Sequence, residues 1–157
     1  MAEQAPGAVD ATRGIDPRGP RFGAGVSATL LGVAVVLGEN AAGRAVLAVA
    51  ALLFLVGTVR GPQRSVQGWA FRRWVRPRLA APLYLEEPEP PRFAQAVGLV
   101  VTVAGLALSP VTPLAVPVAG AIALVAAFLN AAFGFCLGCE MYLALRRLRA
   151  SAGRRAS

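Results

Sequence analysis

Residues 41–59 read AAGRAVLAVAALLFLVGTV, nineteen positions in which Arg44 is the sole charge and apolar side chains cover every face of a helix. At about 1.5 Å of rise per residue, roughly 20 such residues cross the ~30 Å hydrocarbon core of a bilayer. Asn40, an N-cap residue type, stands immediately before them. Working outward, three further stretches have the same character. The first runs from Pro20 to about Gly38, with Pro20 at the first helical position, where its missing N–H costs nothing. The third opens at Pro91 and ends near Leu108, before Ser109 and Pro110. The fourth has Thr112 as cap and Pro113 at its first position, and is predicted to continue through Tyr142 toward Arg146 and Arg147.

The chain has 157 residues, 56% of them hydrophobic and 15% charged, with a formal charge of +8 and no histidine. A chain this short offers no outer layer to cover four all-round apolar helices in water, so buried helices of a soluble protein are excluded in favour of membrane spans. The absence of histidine removes imidazole-based triads, His-ligated zinc and His-ligated haem. No nucleotide loop, paired-carboxylate site or Ser nucleophile motif is present. The expected fold is all-α: four transmembrane helices as two parallel hairpin repeats, with a basic interfacial helix between them.

Every basic residue is arginine, and the arginines are unevenly placed. They cluster before the first span, between the second and third, and after the fourth, while the two short hairpin turns hold only Arg44, opposed by Glu39. The positive-inside rule therefore predicts a multi-pass plasma-membrane protein with both termini and the central loop cytoplasmic. Residues 1–14 read as a disordered tail, retained rather than cleaved, because Glu3 and Asp10 stand where a signal peptide is basic. A single four-helix domain is expected over 15–149, followed by a basic tail over 150–157.

Two halves of the domain match each other. Pro20-Arg21-Phe22 followed by Val26 parallels Pro91-Arg92-Phe93 followed by Val97. Phe54-Leu55 followed by Arg72-Arg73 parallels Phe128-Leu129 followed by Arg146-Arg147 at the same spacing. Repeat 1 spans about 15–80 and repeat 2 about 86–149, in parallel orientation. On this spacing, the positions of Cys136 and Cys139 are taken in the first half by Pro62 and Ser65.

In the central loop, Val66, Trp69, Ala70 and Trp74 recur at helical spacing, with Arg64, Arg72, Arg73 and Arg76 on the remaining face. That pattern predicts an interfacial helix, its indoles at headgroup level and its guanidinium groups facing anionic lipid. Tyr142 is assigned to the same membrane interface. The lipid bilayer is the expected partner of this basic surface, and nucleic acid is not. Beyond Pro77, a Pro-rich and locally acidic connector carries Tyr84, Glu86, Glu87 and Glu89.

The only evident chemistry is the pair Cys136 and Cys139. Its depth places it near the cytoplasmic interface, where two thiols are the resting state and a structural disulfide is not expected. On a continuous fourth helix the pair lies late, where the helix dipole and Glu140 both disfavour a thiolate, so activation is assigned to Arg64, Arg72, Arg73 and Arg146. A disulfide across two turns of a regular helix is strained and labile, which suits a relay or sulfur carrier. Two thiolates do not complete a metal site in one chain; a homodimer supplies four sulfurs, yet no metal or other cofactor is expected. Gly134 and Gly138 read as a small-residue ridge for helix packing, and Asn130 as a polar tie to a neighbouring helix.

Three segments together carry a family resemblance: Ile15-Asp16-Pro17-Arg18, Pro91-Arg92-Phe93-Ala94-Gln95, and the run from Phe128-Leu129-Asn130 through Phe133-Gly134-Phe135-Cys136-Leu137-Gly138-Cys139-Glu140. The chain resembles a family of bacterial integral membrane proteins catalogued as domain of unknown function 4395. The resemblance implies a membrane protein encoded near thioredoxin-like or sulfurtransferase proteins, and so a soluble partner of that kind. It implies no activity.

Three functions are therefore compared. The leading one is a membrane component of thiol redox or sulfur transfer, with Cys136 and Cys139 as the reacting pair. The second is a non-catalytic scaffold that recruits a soluble partner through the basic helix and acidic connector. The third is a small transporter of a sulfur species, which needs a dimer, because four helices leave little room for a pore. A quinone-linked thiol oxidase of the type whose cysteines face the oxidising side is disfavoured, since charge places these inside.

Overall fold

The computed structural model describes residues 14–155. The tail expected over 1–14 therefore lies almost wholly outside the described residues. Four long helices carry the fold: α1 (Arg18–Leu37), α2 (Ala41–Arg60), α4 (Glu89–Leu108) and α5 (Ala115–Phe133), all long and apolar enough to cross a membrane. Between α2 and α4 lies a short helix α3 (Val66–Ala70), which continues into a wide π-helical turn over Phe71–Val75. A final helix α6 (Leu137–Arg155) is polar on average and takes in most of the residues expected as a basic tail.

The hairpins interleave: α1 packs chiefly against α5, and α2 against α4, so each span finds its main partner in the other hairpin. Leu31, Leu47 and Val116 are fully buried at the centre, with Ala34, Ala50, Phe54 and Ala123 around them. Most remaining apolar side chains face outward; Val36 is 87% exposed and Val100 68%. Such a surface is unsustainable in water but matches lipid tails.

The predicted start of the fourth span is corrected. Thr112 and Pro113 do not open the helix; Ser109–Leu114 form a string of turns, with Val111 and Thr112 both donating to the Leu108 carbonyl, and α5 begins at Ala115. Its first turn is capped from the other hairpin, where Glu39 Oε2 accepts the Val116 N–H at 3.0 Å. A carboxylate at a helix N-terminus is favoured by both the free N–H groups and the dipole.

The predicted end of that span is also corrected. The helix does not run on through Tyr142 but stops at Phe133, because Gly134 adopts a left-handed conformation at φ +71°. Its N–H and that of Phe135 fold back onto the carbonyls of Asn130 and Leu129, which closes the helix in a Schellman-type cap. Gly134 is thus a helix stop and not half of a packing ridge.

The two-fold repeat is visible in side-chain detail. Phe22 stacks on Phe71 with ring centroids 5.9 Å apart, and 71 positions later Phe93 meets Tyr142 at 5.7 Å. Arg21 reaches the carbonyls of Ala131 and Ala132, three and two residues before Gly134. Arg92 likewise reaches those of Thr58 and Val59, three and two residues before Gly61, which also has positive φ. Each arginine thus serves the orphan carbonyls that end the partner hairpin's second helix, where a cation also suits the dipole.

This equivalence changes the register of the segments that follow α2 and α5. Ser65 caps α3 by accepting the Gly68 N–H at 3.0 Å, and Cys136 caps α6 by accepting the Cys139 N–H on its sulfur at 3.4 Å. The first-repeat counterparts of Cys136 and Cys139 are therefore Ser65 and Gly68, not Pro62 and Ser65. The misalignment has a physical origin. Three residues, Pro62–Arg64, form a 3-10 turn between Gly61 and Ser65, whereas only Phe135 separates Gly134 from Cys136.

Candidate functional site

Gly134 turns the chain out of α5, and Cys136 is the first residue positioned to start a new helix. Its sulfur occupies the place where Ser, Thr, Asp or Asn usually accepts a hydrogen bond from the third residue on. The expectation that the thiols sit late in a helix is thereby overturned: Cys136 stands at the N-terminal, positive end of α6, where the dipole favours a thiolate. Cys139 follows in the first turn. Both cysteines are free and partly exposed.

The pair is electrostatically split. The Cys139 thiol, hydrogen-bonded to Cys136, holds the Cys136 pKa below its ordinary value against the opposing effect of burial, and the backbone N–H groups of Cys139 and Gly138 add to the effect. Cys139 is pushed the other way, first by that same hydrogen bond, then by burial and by the charges of Cys136, Glu86 and Glu140. Burial also raises Glu86. One thiol is thus poised to attack and its neighbour retains a proton, the division of labour a Cys-x-x-Cys pair needs.

Cys136 and Cys139 lie on the wall of an open cavity of about 780 Å³ at the arginine-rich end of the bundle. Arg18 and Arg21 of α1 form one side, and the connector around Tyr84 and Glu86 another. The connector is tied down by the antiparallel bridge between Ile15 and Glu86 and by Arg146, which donates to Glu87 Oε2 at 3.1 Å. In the first repeat the equivalent residues line two separate pockets, one of about 220 Å³ around Gly61, Pro88 and Arg92 and one of about 210 Å³ around Ile15, Gly68 and Arg72, and Ser65 is buried. Pro62 and Gln63 of the longer connector line both pockets.

Of the arginines assigned to thiol activation, Arg146 is engaged with Glu87 and with the ring of Tyr142, 5.8 Å away. Arg72 donates to the Gln63 carbonyl, and Arg64 lines the smaller first-repeat cavity. Among the described residues, none of Arg64, Arg72, Arg73 and Arg146 lines the cavity of the thiols; Arg18 and Arg21 do. Trp69 and Trp74 are half-exposed and meet edge to face at 5.1 Å. Tyr142 packs on Phe93. At Gly138 a Cβ would stand 2.5 Å from the Cα of Ala94 on α4, closer than atoms approach.

A second cavity, of about 260 Å³, lies between the spans, bounded by α1, α4, α5 and the start of α6. Cys136 and Asn130 line both cavities. Where the first repeat buries the side chain of Gln67, the equivalent residue of the second is Gly138, packed directly against Ala94. Gln95, also on this wall, has a buried Oε1 without a hydrogen-bond partner. Sequence reasoning passed over Gln95, Arg21 and Ser65. An amide within an otherwise apolar span was the available signal for Gln95; the roles of the other two follow only from the packing of the repeats.

Over residues 15–147 the chain matches the family described as Domain of unknown function (DUF4395), and it belongs to that family. The four apolar helices agree with an integral membrane protein. Comparison with curated proteins and with solved structures finds no match.

Proposed function

We propose that the chain is a membrane-embedded thiol-exchange protein, in which Cys136 attacks and Cys139 resolves. The observation that carries this is the Cys136 sulfur at the N-cap of α6, accepting the Cys139 N–H, on the wall of one open cavity whose first-repeat counterpart is divided into two smaller pockets. A packing role calls for neither the cap position nor the opening.

The Cys136 thiolate attacks one sulfur of a partner's disulfide, forming a mixed disulfide and releasing the partner's other sulfur as a thiolate. Cys139 then loses its proton and attacks the Cys136 sulfur, releasing the partner's first sulfur. The protein leaves with a Cys136–Cys139 disulfide and the partner with two thiols, so two electrons have passed to the partner. The reverse sequence oxidises a partner dithiol. A partner persulfide is attacked in the same first step, at its outer sulfur, which moves to Cys136.

The partner is soluble and thioredoxin-like or a sulfurtransferase, and meets the site from the cytoplasm. Support for this orientation comes from the arginines gathered at the thiol end, while the opposite end holds Arg44 paired with Glu39 at 3.5 Å. Trp69, Trp74 and Tyr142 then lie at the cytoplasmic interface of the plasma membrane.

The test is the redox state of the pair in cells, fixed by acid quench and read with a mass-tagged maleimide before and after thiol stress. A reversible shift of both cysteines to a disulfide or persulfide is expected. A pair that stays reduced throughout, although it labels readily, would remove the exchange role.

A further inference from the structure

α6 is packed along only part of its length. Gly138 lies against Ala94 and Tyr142 against Phe93, both on α4, and Arg146 donates to Glu87 on the connector. From Ala144 to Ala152 every residue is exposed. So short a helical segment is marginal in water without packing, and its helicity calls for a surface to lie on. Leu137, Met141, Leu145 and Leu148 recur at helical spacing and form one stripe, exposed at each position, with Leu148 65% exposed. At about 100° per residue, Arg147 and Arg149 fall on opposite flanks of that stripe. Neither stands in a salt bridge among the described residues. From Met141 to Ser157 the sequence has five arginines and no acidic residue.

Three observations commit this face to lipid. Leu137 and Met141 line the cavity between the spans together with Ile122 of α5, itself exposed, so the stripe prolongs the lipid-facing surface of the bundle. The flanking arginines suit headgroup phosphates, with their aliphatic stems laid along the apolar stripe. The first repeat carries the same pattern. There Val66 and Trp74, both exposed, stand at the positions of Leu137 and Leu145, and Arg76 and Arg78 at those of Arg147 and Arg149. Because the repeats run in the same direction, the two segments leave the bundle at the same end and meet the same face of the membrane.

We propose that the distal half of α6 is a membrane-surface arm that binds anionic phospholipid. Met141, Leu145 and Leu148 enter the boundary between headgroups and acyl chains, and Arg147 and Arg149 pair with the phosphates. The partner is a bilayer surface with negatively charged headgroups, not a single lipid held in a pocket. Arg146 remains on Glu87, so the seated arm also braces the connector that walls the thiol cavity. Neither thiol takes part in the seating.

The test uses the full chain with Cys136→Ser/Cys139→Ser, which keeps a capping side chain at the start of α6 and leaves no native thiol. A nitroxide is attached at Leu148→Cys on the stripe or at Ala150→Cys on the opposite face, in nanodiscs of phosphatidylcholine with or without phosphatidylglycerol. Collision with oxygen reports lipid, and collision with a soluble nickel chelate reports water. In the anionic discs, oxygen should dominate at position 148 and nickel at position 150. Arg147→Gln/Arg149→Gln should shift the seated population about thirtyfold toward water. Omitting phosphatidylglycerol or raising the salt should act in the same direction. A Leu148→Cys label that stays in water in both lipids would overturn the arm and leave the stripe to a soluble partner. A label screened from both reagents, with dipolar broadening between copies, would overturn it in favour of a second chain. Equal seating in both lipids, unmoved by the arginine changes, would overturn the anionic assignment. Since the thiols are absent throughout, each of these results leaves the exchange function where it stands.

Discussion

Ile15 and Glu86 exchange two backbone hydrogen bonds, at 2.8 and 2.9 Å, and they are the same position of the two repeats, 71 residues apart. The pseudo-two-fold axis of the molecule therefore passes between them. The shared parts, arginine on helix end and aromatic on aromatic, hold the bundle together, and the unshared parts surround the thiols.

The shared arginines give the first prediction. Arg21→Met and Arg92→Met each remove a cation from the carbonyls that end the partner hairpin's second helix. Because both arginines are exposed, each substitution should cost only about 1 kcal/mol, seen as a lower unfolding midpoint in detergent. Arg92, with bonds of 2.6 and 3.1 Å against 3.4 Å for both bonds of Arg21, should cost more. Equal midpoints for wild type and both variants would remove the capping role.

Glycine positions separate close packing from open space. Gly138→Ala puts a methyl group 2.5 Å from the Ala94 Cα, against backbone that has nowhere to go, and should destabilise by about 1–3 kcal/mol. Gly32→Ala, with nothing within 4 Å, should be neutral or stabilise by up to about 1 kcal/mol through helix propensity alone. Thermal unfolding of the two variants side by side checks this. A Gly138→Ala variant as stable as wild type would contradict the α4–α6 contact.

The spans were legible in the sequence because the length and apolarity needed to cross a bilayer are one-dimensional properties. Their starts at Arg18 and Glu89 differ by only two residues from the predicted Pro20 and Pro91. The repeat was legible for a related reason, since Pro-Arg-Phe recurs intact. The thiol site was half legible. The spacing of Cys136 and Cys139 stood out, but their setting depended on whether Gly134 continues a helix or ends it, and an apolar run with two glycines fits both. Only the left-handed turn at Gly134 decides, and with it the sign of the dipole felt by Cys136. Arg18 and Arg21, which line the cavity, were missed because they come to the site from α1, far away in sequence.

Alkylation rate against pH tests the electrostatics of the pair. Cys139→Ala removes the hydrogen bond that lowers the Cys136 pKa, so less thiolate is present at neutral pH and iodoacetamide labelling of Cys136 should slow. Glu86→Gln removes a nearby negative charge that opposes the thiolate, so labelling should speed up. Movement of both variants in the same direction would refute this account.

Acid should loosen the clamp beside the site. The Asp16 carboxylate has a side chain only 4% exposed and bonds to Arg18 through both oxygens, with Arg76 4.0 Å away. The Arg18 hydrogen bond holds its pKa below the ordinary carboxyl value, against burial. A folded-state pKa lowered in this way contributes stability that is complete above the unfolded value and fades as pH falls through the folded one. Hydrogen exchange at the Ile15 and Glu86 amides should therefore accelerate below about pH 4 in the wild type. In Asp16→Asn it should already be fast at neutral pH. Exchange that is independent of pH in the wild type, after correction for intrinsic rates, would detach Asp16 from the clamp.

The connector itself provides the sharpest test of why the second repeat is open. Between the helix-ending glycine and the capping residue, the first repeat has Pro62-Gln63-Arg64 and the second has Phe135 alone. Replacing Phe135 by Pro-Gln-Arg supplies the second repeat with a segment that the same fold accommodates beside Ser65. The four spans should be retained, with circular dichroism unchanged, because each keeps its own partners. The added turn should divide the ~780 Å³ cavity as its counterpart is divided, into pockets of ~220 and ~210 Å³, and bury Cys136 as Ser65 is buried. Labelling of Cys136 by a polyethylene glycol maleimide should then fall by about tenfold or more, since thiol reactivity requires access as well as thiolate. Denaturation should restore labelling in full, which separates closure of the site from loss of the thiol. If the grafted variant folds and still labels at the wild-type rate, connector length does not control access, and the asymmetry of the repeats must be sought in Gly138 and Gln67 instead.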